Sequence, residues 1–443
     1  MNTDLKEICE KIVKTSPCEA EAYAVSSRTF SAEVRSQKVQ TVYKGHNLGI
    51  ALRLMKGKKT GFAYSNNADT ETLIKNAADN LRSSSAESEF KFAPAQGTAA
   101  VDIMFDGTIA KIPEEEKIAL AMKIESCAYA HDKRIMNTEA ASYSDEEYEV
   151  HISTSAGFSS GYKKTLCSGS MQAISEEKGQ SEEGYCLRQY GSVRELIPEE
   201  IGRKAASEAV ELLGGRIIRS GALPVVLSPL VSSQFLAAAA PIFSAENVRK
   251  GKSLLKGMAG KPAASERFSL IEDALLKNGL ASRPFDDEGL PSKRTELIKN
   301  GELKGFLHYL DSAAKDGACS TSSAVRSTFK APPVIGTTNL YVERGGSSRD
   351  ALFAAAEKGI FITRVMALHS LNPVSGDFSL GASGIMIENG KKTFPVRGIT
   401  IAGNLAEMLL AVKDIGNDLE FFPETGYCGS PSLLIDRLSV SGE

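Results

Sequence analysis

The chain has 443 residues, a formal charge of −3 and seven cysteines, enough length for about two or three domains with real cores. The near-balanced charge gives no surface-wide attraction for nucleic acid or anionic membrane, and an odd, irregularly spaced set of cysteines makes no disulfide framework. No apolar run is long enough to span a bilayer and MNTDLKEICEKIVKT lacks an apolar signal core, so a soluble, cytoplasmic setting is expected.

Leu5, Ile8, Cys9 and Ile12 recur at helical spacing over residues 4–14, an amphipathic helix. Strand-like runs follow at 20–27, 31–42 and 48–55, then a basic turn, Lys56-Gly57-Lys58-Lys59, into 60–64. Asp69 is placed to cap a helix running to about Leu81, with Glu71 in its first turn. Residues 83–97 are polar and weakly patterned, a loop. A helix over 113–130 opens with Pro113 and three glutamates, which suit the positive end of the helix dipole. Strand-like runs occupy 135–192, among them 147–152, 159–168 and 171–177, and a helix over 198–213 stops at Gly214-Gly215. This first domain, residues 1–220, reads as helices on a mostly antiparallel sheet, within an α+β class.

Beyond a boundary at 214–221, a second domain over 221–443 begins with a short apolar strand at 223–227, stopped by Pro229. A helical segment follows at 232–243, then glycine-punctuated strands with few helices, so this half is expected to be β-rich and barrel-like. Its most organised stretch is 369–404. Asn389-Gly390 supplies the two positive φ angles of a type I′ hairpin, and Asn300-Gly301 repeats that chemistry. Phe378, Leu380 and Ala382 alternate with Asp377, Ser379 and Gly381, and the pattern falters at Gly384, where a bulge or close backbone approach is expected. Glycines within a strand pair are costly unless something must come near the backbone. Either an extended peptide or partner docks at Gly381, Ala382, Ser383 and Gly384, or the glycines relieve crowding in a closed sheet.

Chemistry-bearing motifs are few. The histidines, His46, His131, His151, His308 and His369, form no HExxH or HxH pair that would place imidazoles on one face. G-x-S-x-G is absent. Ser253-Leu254-Leu255-Lys256 and Lys59-Thr60-Gly61 match S-x-x-K and K-T-G in the wrong order for a penicillin-binding enzyme. Cys428, in Gly426-Tyr427-Cys428-Gly429, has no local histidine to ionise it. Asp286-Asp287-Glu288, with Arg283 close by, could hold a divalent ion or fix a loop by ion pairing, and ion pairing is the simpler reading.

Several segments from about residue 223 onward, in order, resemble the TldD/PmbA family. They are Arg249-Lys250-Gly251-Lys252-Ser253, Ser282-Arg283-Pro284-Phe285-Asp286-Asp287-Glu288-Gly289 and Leu297-Ile298-Lys299-Asn300-Gly301-Glu302-Leu303-Lys304-Gly305. Thr338-Asn339-Leu340-Tyr341, Gly376-Asp377-Phe378-Ser379-Leu380-Gly381-Ala382-Ser383-Gly384, Pro395-Val396-Arg397-Gly398 and Gly416-Asn417-Asp418-Leu419 complete the series. The resemblance implies a two-part fold and dimers that enclose a cavity. In D-type subunits an H-E-x-x-x-H helix ahead of the R-K-G motif, with a later cysteine, holds zinc for peptide hydrolysis. Counted back from Arg249, those helix positions fall on Leu236, Ala237 and Pro241, none of which can bind zinc, while Cys428 matches the family's Cys-Gly turn.

The Ser-Leu-Gly-Ala-Ser-Gly stretch is similar to the E-type (PmbA) subunit, the non-metal partner in a heterodimeric protease acting on unfolded peptides. On that resemblance the chain has no catalytic residue or cofactor of its own, and zinc is expected only in a D-type (TldD-like) partner. Where that partner is absent a homodimer is the alternative assembly, and no nucleic acid or membrane partner is expected. Two alternatives stay open: a self-sufficient hydrolase with a site such as Asp286, Asp287 and Glu288, or a non-enzymatic modulator of DNA gyrase.

Overall fold

The computed structural model describes residues 4–85 and 87–443. The first half runs α1 (Leu5–Thr15), β1 (Glu19–Arg35), β2 (Lys38–Lys56), β3 (Lys59–Ser65), α2 (Thr70–Ser83) and α3 (Glu114–His131). It continues through β4 (Ile135–Thr154), β5 (Ser159–Glu177), β6 (Gln180–Tyr190) and α4 (Pro198–Glu211). The six strands form one antiparallel sheet in the order β3-β2-β1-β4-β5-β6. One face is covered by the helices. Ala20, Ala22 and Ala24 pack with Leu5, Cys9, Leu73 and Ala77, and Phe30, Ala32 and Val34 pack with Ile124, Ile201 and Ala205. The caps follow the sequence: Asp69 Oδ1 accepts the Thr72 N–H at 3.1 Å, and Pro113 precedes α3.

Two expectations are corrected here. The runs at 20–27 and 31–42 are not separate strands: β1 continues to Arg35, and the reversal falls at Ser36-Gln37. Both residues have positive φ, 52° and 55°, an unusual pair without glycine. The buried carboxylate of Glu125, on α3, accepts both of their N–H groups at 2.7 and 2.6 Å and holds the turn. In the same way β5 runs unbroken where two strands were expected at 159–168 and 171–177.

The second half runs β7 (Gly221–Leu227), α5 (Pro229–Ala239), α6 (Ala245–Arg249), β8 (Leu270–Asp273), β9 (Arg294–Lys299) and β10 (Glu302–Leu303). Next come α7 (Leu310–Asp316), β11 (Ala324–Val325), β12 (Val334–Ile335), β13 (Leu340–Val342), α8 (Arg349–Ala356) and β14 (Gly359–Met366). The last elements are β15 (Asp377–Glu388), β16 (Lys391–Asn404), α9 (Leu405–Leu410), β17 (Val412–Ile415), β18 (Glu420–Phe422), β19 (Cys428–Ser430) and β20 (Leu433–Ser441). A sheet ordered β16-β15-β14-β7-β20-β17 closes through β16–β20 pairing into a five-strand barrel. Beside it lies the sheet β10-β9-β8-β13-β19-β18. The fold is α+β with a β-rich, barrel-bearing second half. Pro229 does not merely stop β7; it occupies the first turn of α5, where its fixed φ is favoured, and Ser228 Oγ caps the helix from Val231 N–H at 3.3 Å. No helix among the described residues is long and apolar enough to cross a membrane.

Candidate functional site

The uncovered face of the first sheet looks toward the second half. Cross-strand partners share a face, so Ser27 and Tyr148 lie side by side, as do Val25 and Val150, Tyr148 and Lys164, and Val150 and Tyr162. Across from them stand the segments around Arg283, Arg326, Thr338 and Tyr427, and the two walls enclose a cleft of about 600 Å³.

Beside the cleft the halves are joined by buried charge. Arg53 grips Glu21 with two donors, at 2.9 and 2.5 Å, and donates to Glu288 at 3.0 Å. Its guanidinium lies 5.1 Å from the Phe90 ring centroid. Arg326 donates to Glu21 at 2.5 Å and its backbone N–H donates to Asp287 at 2.6 Å, while Arg283 pairs with Asp287 at 3.1 Å. Asp286 accepts the backbone N–H groups of Glu288, Leu290 and Ala324, and Glu288 accepts that of Leu310. The Asp286-Asp287-Glu288 carboxylates are therefore committed to arginines and backbone amides, the ion-paired loop rather than an open ion site. Among the described residues no group of three or more His, Cys, Asp or Glu side chains is placed to hold a metal ion.

The helix positions singled out in the sequence lie on and just beyond α5. Leu236 is buried with Phe235 and Ala239 in the core, and Phe235 meets Phe378 edge-on at 5.2 Å. Ala237 is half-buried, and Pro241 is exposed in the 3-10 turn Ala240–Phe243 into which the helix tightens. Cys428, on β19 packed against α5, is buried. Burial, and then the Glu272 carboxylate, push its thiol up to about 12, so it is neutral near pH 7. Three side chains without a donor atom and one protonated thiol do not fit a zinc ion.

Two further buried groups lie by the cleft. Glu272 accepts the Thr338 N–H at 2.7 Å with one oxygen, the other lacks a partner, and burial pushes its pKa up to about 7. Lys164 donates to the carbonyls of Leu280 and Ser282, and burial, then Arg283, bring it down to about 8.

The glycine-rich stretch lies elsewhere, in the barrel wall. Gly381, Ala382, Ser383 and Gly384 pair with β14 on one side, and Gly381, Ala382 and Gly384 with β16 on the other. Both backbone edges are taken, so an extended peptide cannot add to this strand by main-chain pairing. The register shifts at Gly384, as the broken alternation implied, and a Cβ there would sit 2.1 Å from the Phe361 carbonyl oxygen. Crowding in a closed sheet accounts for that glycine.

Family models match most of the chain: PmbA/TldA metallopeptidase domain 1 over residues 20–85, the central domain over 107–213 and the C-terminal domain over 220–442. The chain belongs to the PmbA/TldD family. Relatives include Metalloprotease PmbA of Escherichia coli O157:H7, 28% identical over 433 residues that cover 95% of this chain and 92% of that protein. A Metalloprotease TldD homolog of Haemophilus influenzae is 28% identical over 429 residues, covering 89% and 86%. The same fold occurs in a proposed modulator of a DNA gyrase from Thermotoga maritima, with a TM-score of 0.91 and 27% identity over 99% of this chain and 100% of that one. TldE from Thermococcus kodakarensis shares the fold at 20% identity, with a TM-score of 0.87 over 99% of each chain. Within this PmbA/TldD scaffold, the cleft residues Tyr23, Glu146, Tyr148, Tyr162 and Tyr427 escaped the sequence reading. For Tyr23, Glu146 and Tyr148 the only signal was the shared parity of Tyr23, Val25 and Ser27, and of Glu146, Tyr148 and Val150, along two strands; Tyr162 and Tyr427 had none.

Proposed function

We propose that this chain is the PmbA-like, E-type subunit of a TldD/TldE-type peptidase system, holding unfolded peptides while a D-type subunit supplies zinc and performs the cleavage. The observation that carries this reading is Leu236, Ala237 and Pro241, donor-free side chains where the D-type motif places two histidines and a glutamate, on an otherwise retained family fold. Hydrolysis by a metal-bound water needs about three protein ligands and a base. This chain offers one buried, neutral thiol at Cys428. Its own contribution is the cleft, whose tyrosine and backbone surfaces suit an extended chain without secondary structure of its own. A cytoplasmic location goes with this reading, as does a homodimer when the D-type subunit is missing.

Purified alone, the chain is expected to leave an unfolded peptide intact. Mixed with a D-type subunit it should form a complex that cleaves the peptide, and substituting the partner's zinc-helix histidines should abolish cleavage. Stoichiometric zinc in the pure chain with chelator-sensitive cleavage would overturn the proposal, and failure to form any complex would count against it. The likeness to the proposed gyrase modulator of Thermotoga maritima supports a second reading, a binding protein for gyrase. Direct binding to gyrase subunits at moderate salt would favour it, although a formal charge of −3 supplies no DNA footprint.

A further inference from the structure

We infer that the cleft selects a cationic group on its ligand, an ammonium or guanidinium, received by Glu146 within a cage of tyrosines. The inference rests on the peptide-holding reading above and names what that site prefers.

Four charged side chains line the cleft: Glu146, Arg283, Asp287 and Arg326. Three are already matched, Arg283 with Asp287 and Arg326 with Glu21. Glu146 makes no ion pair among the described residues; its hydrogen-bonding neighbour is the Ser27 hydroxyl. Lys164, beside Tyr148 in register, cannot neutralise it, because two backbone carbonyls hold its ammonium. The cleft is thus one positive charge short.

Tyr23, Tyr148, Tyr162 and Tyr427 share the same lining. Tyr148 and Tyr162 meet edge-on at 6.4 Å, and the Tyr427 hydroxyl donates to Gln189 at 2.7 Å, which fixes that ring. Aromatic faces beside a carboxylate attract cations through the ring quadrupole and gain strength where water is excluded. The protein already uses this pairing once in the same cleft. The Arg326 guanidinium sits 4.9 Å from the Tyr23 ring centroid with the Glu21 carboxylate 2.5 Å from it. A cation brought by the ligand would repeat that arrangement at Glu146.

The cation can come from a lysine or arginine side chain or from a free peptide N-terminus, and the test separates them. Fluorescence anisotropy would compare labelled unfolded peptides of one length carrying lysine, norleucine or glutamate at one position, each with a free or an acetylated N-terminus. A lysine advantage of about tenfold over norleucine is expected in the acetylated series if a side chain is read. An advantage that follows the free N-terminus instead would assign the site to the α-ammonium. Either preference should shrink to within about twofold in Glu146→Gln, and should weaken in Tyr148→Leu, which removes a wall of the cage without altering charge. Equal affinities across the set, or a preference that survives both variants, would overturn the inference and leave the peptide-holding role intact. No binding of any peptide would remove that role, and the inference with it.

Discussion

Glu272 lies behind Thr338 with one carboxylate oxygen satisfied and the other without a partner. Burial raises its pKa to about 7, from the 4.5 of an ordinary glutamate. Between those two values the folded chain holds a proton that the unfolded chain releases. The stabilisation is therefore complete below about pH 4.5 and lost as pH rises through 7. Asp286, raised by burial and then by Glu288, works in the same direction. Urea unfolding is expected to show stability falling from pH 5 to pH 8, with Glu272 contributing about 3 kcal/mol at most. Glu272→Gln keeps an acceptor for Thr338 and cannot ionise, so it should flatten part of that slope. An unchanged slope in this variant would show that Glu272 is not a source of it.

Individual strands carry their own constraints, and β15 is the clearest case. A methyl group at Gly384 would press on the Phe361 carbonyl, which belongs to the adjoining barrel strand and cannot swing aside as a side chain can. Gly384→Ala should cost about 1–3 kcal/mol. At Gly381 the nearest atom is the flexible end of Met366, at 3.1 Å, so Gly381→Ala should stay within about 0.5 kcal/mol. Thermal melts of the two variants side by side would check the contrast. Elements with local signals were readable from the sequence: the amphipathic α1, the Asp69 cap, the proline-led α3 and the two Asn-Gly turns, whose residues all have positive φ. The Ser36-Gln37 turn was not, because the group that holds it, Glu125, is 89 and 88 residues away. The glycine-rich stretch was legible as a hairpin, with a closed sheet as one of the two readings its glycines left open; the neighbour that decides between them, β14, is set by tertiary pairing. The cleft escaped for a related reason: its tyrosines come from β1, β4, β5 and the turn before β19, and only the pairing of those strands and the second half standing opposite them bring the rings together.

At the scale of the molecule the two halves are fastened through the buried arginines. Glu21 and Arg53 belong to the first sheet, whereas Glu288, Asp287, Arg283 and Arg326 come from loops of the second half. Closing such a network desolvates every member, so its value shows most plainly when one partner is removed. Arg53→Ala leaves Glu288 without its arginine and Glu21 with only Arg326, both fully buried, and should cost about 3–5 kcal/mol. Pairing Arg53→Met with Glu288→Gln removes opposite charges together and should recover much of that loss, because the deficit comes from the stranded carboxylate. The chain has no tryptophan, so circular dichroism in urea, with hydrogen exchange over residues 283–291, is the suitable readout. The single variant should exchange faster in that loop and unfold with its first half ahead of the barrel. If the double variant is as unstable as Arg53→Ala, the stranded charge is not the cause, and the loss both variants share is: the Arg53 guanidinium with its bonds to Glu21 and its place over the Phe90 and Phe92 rings.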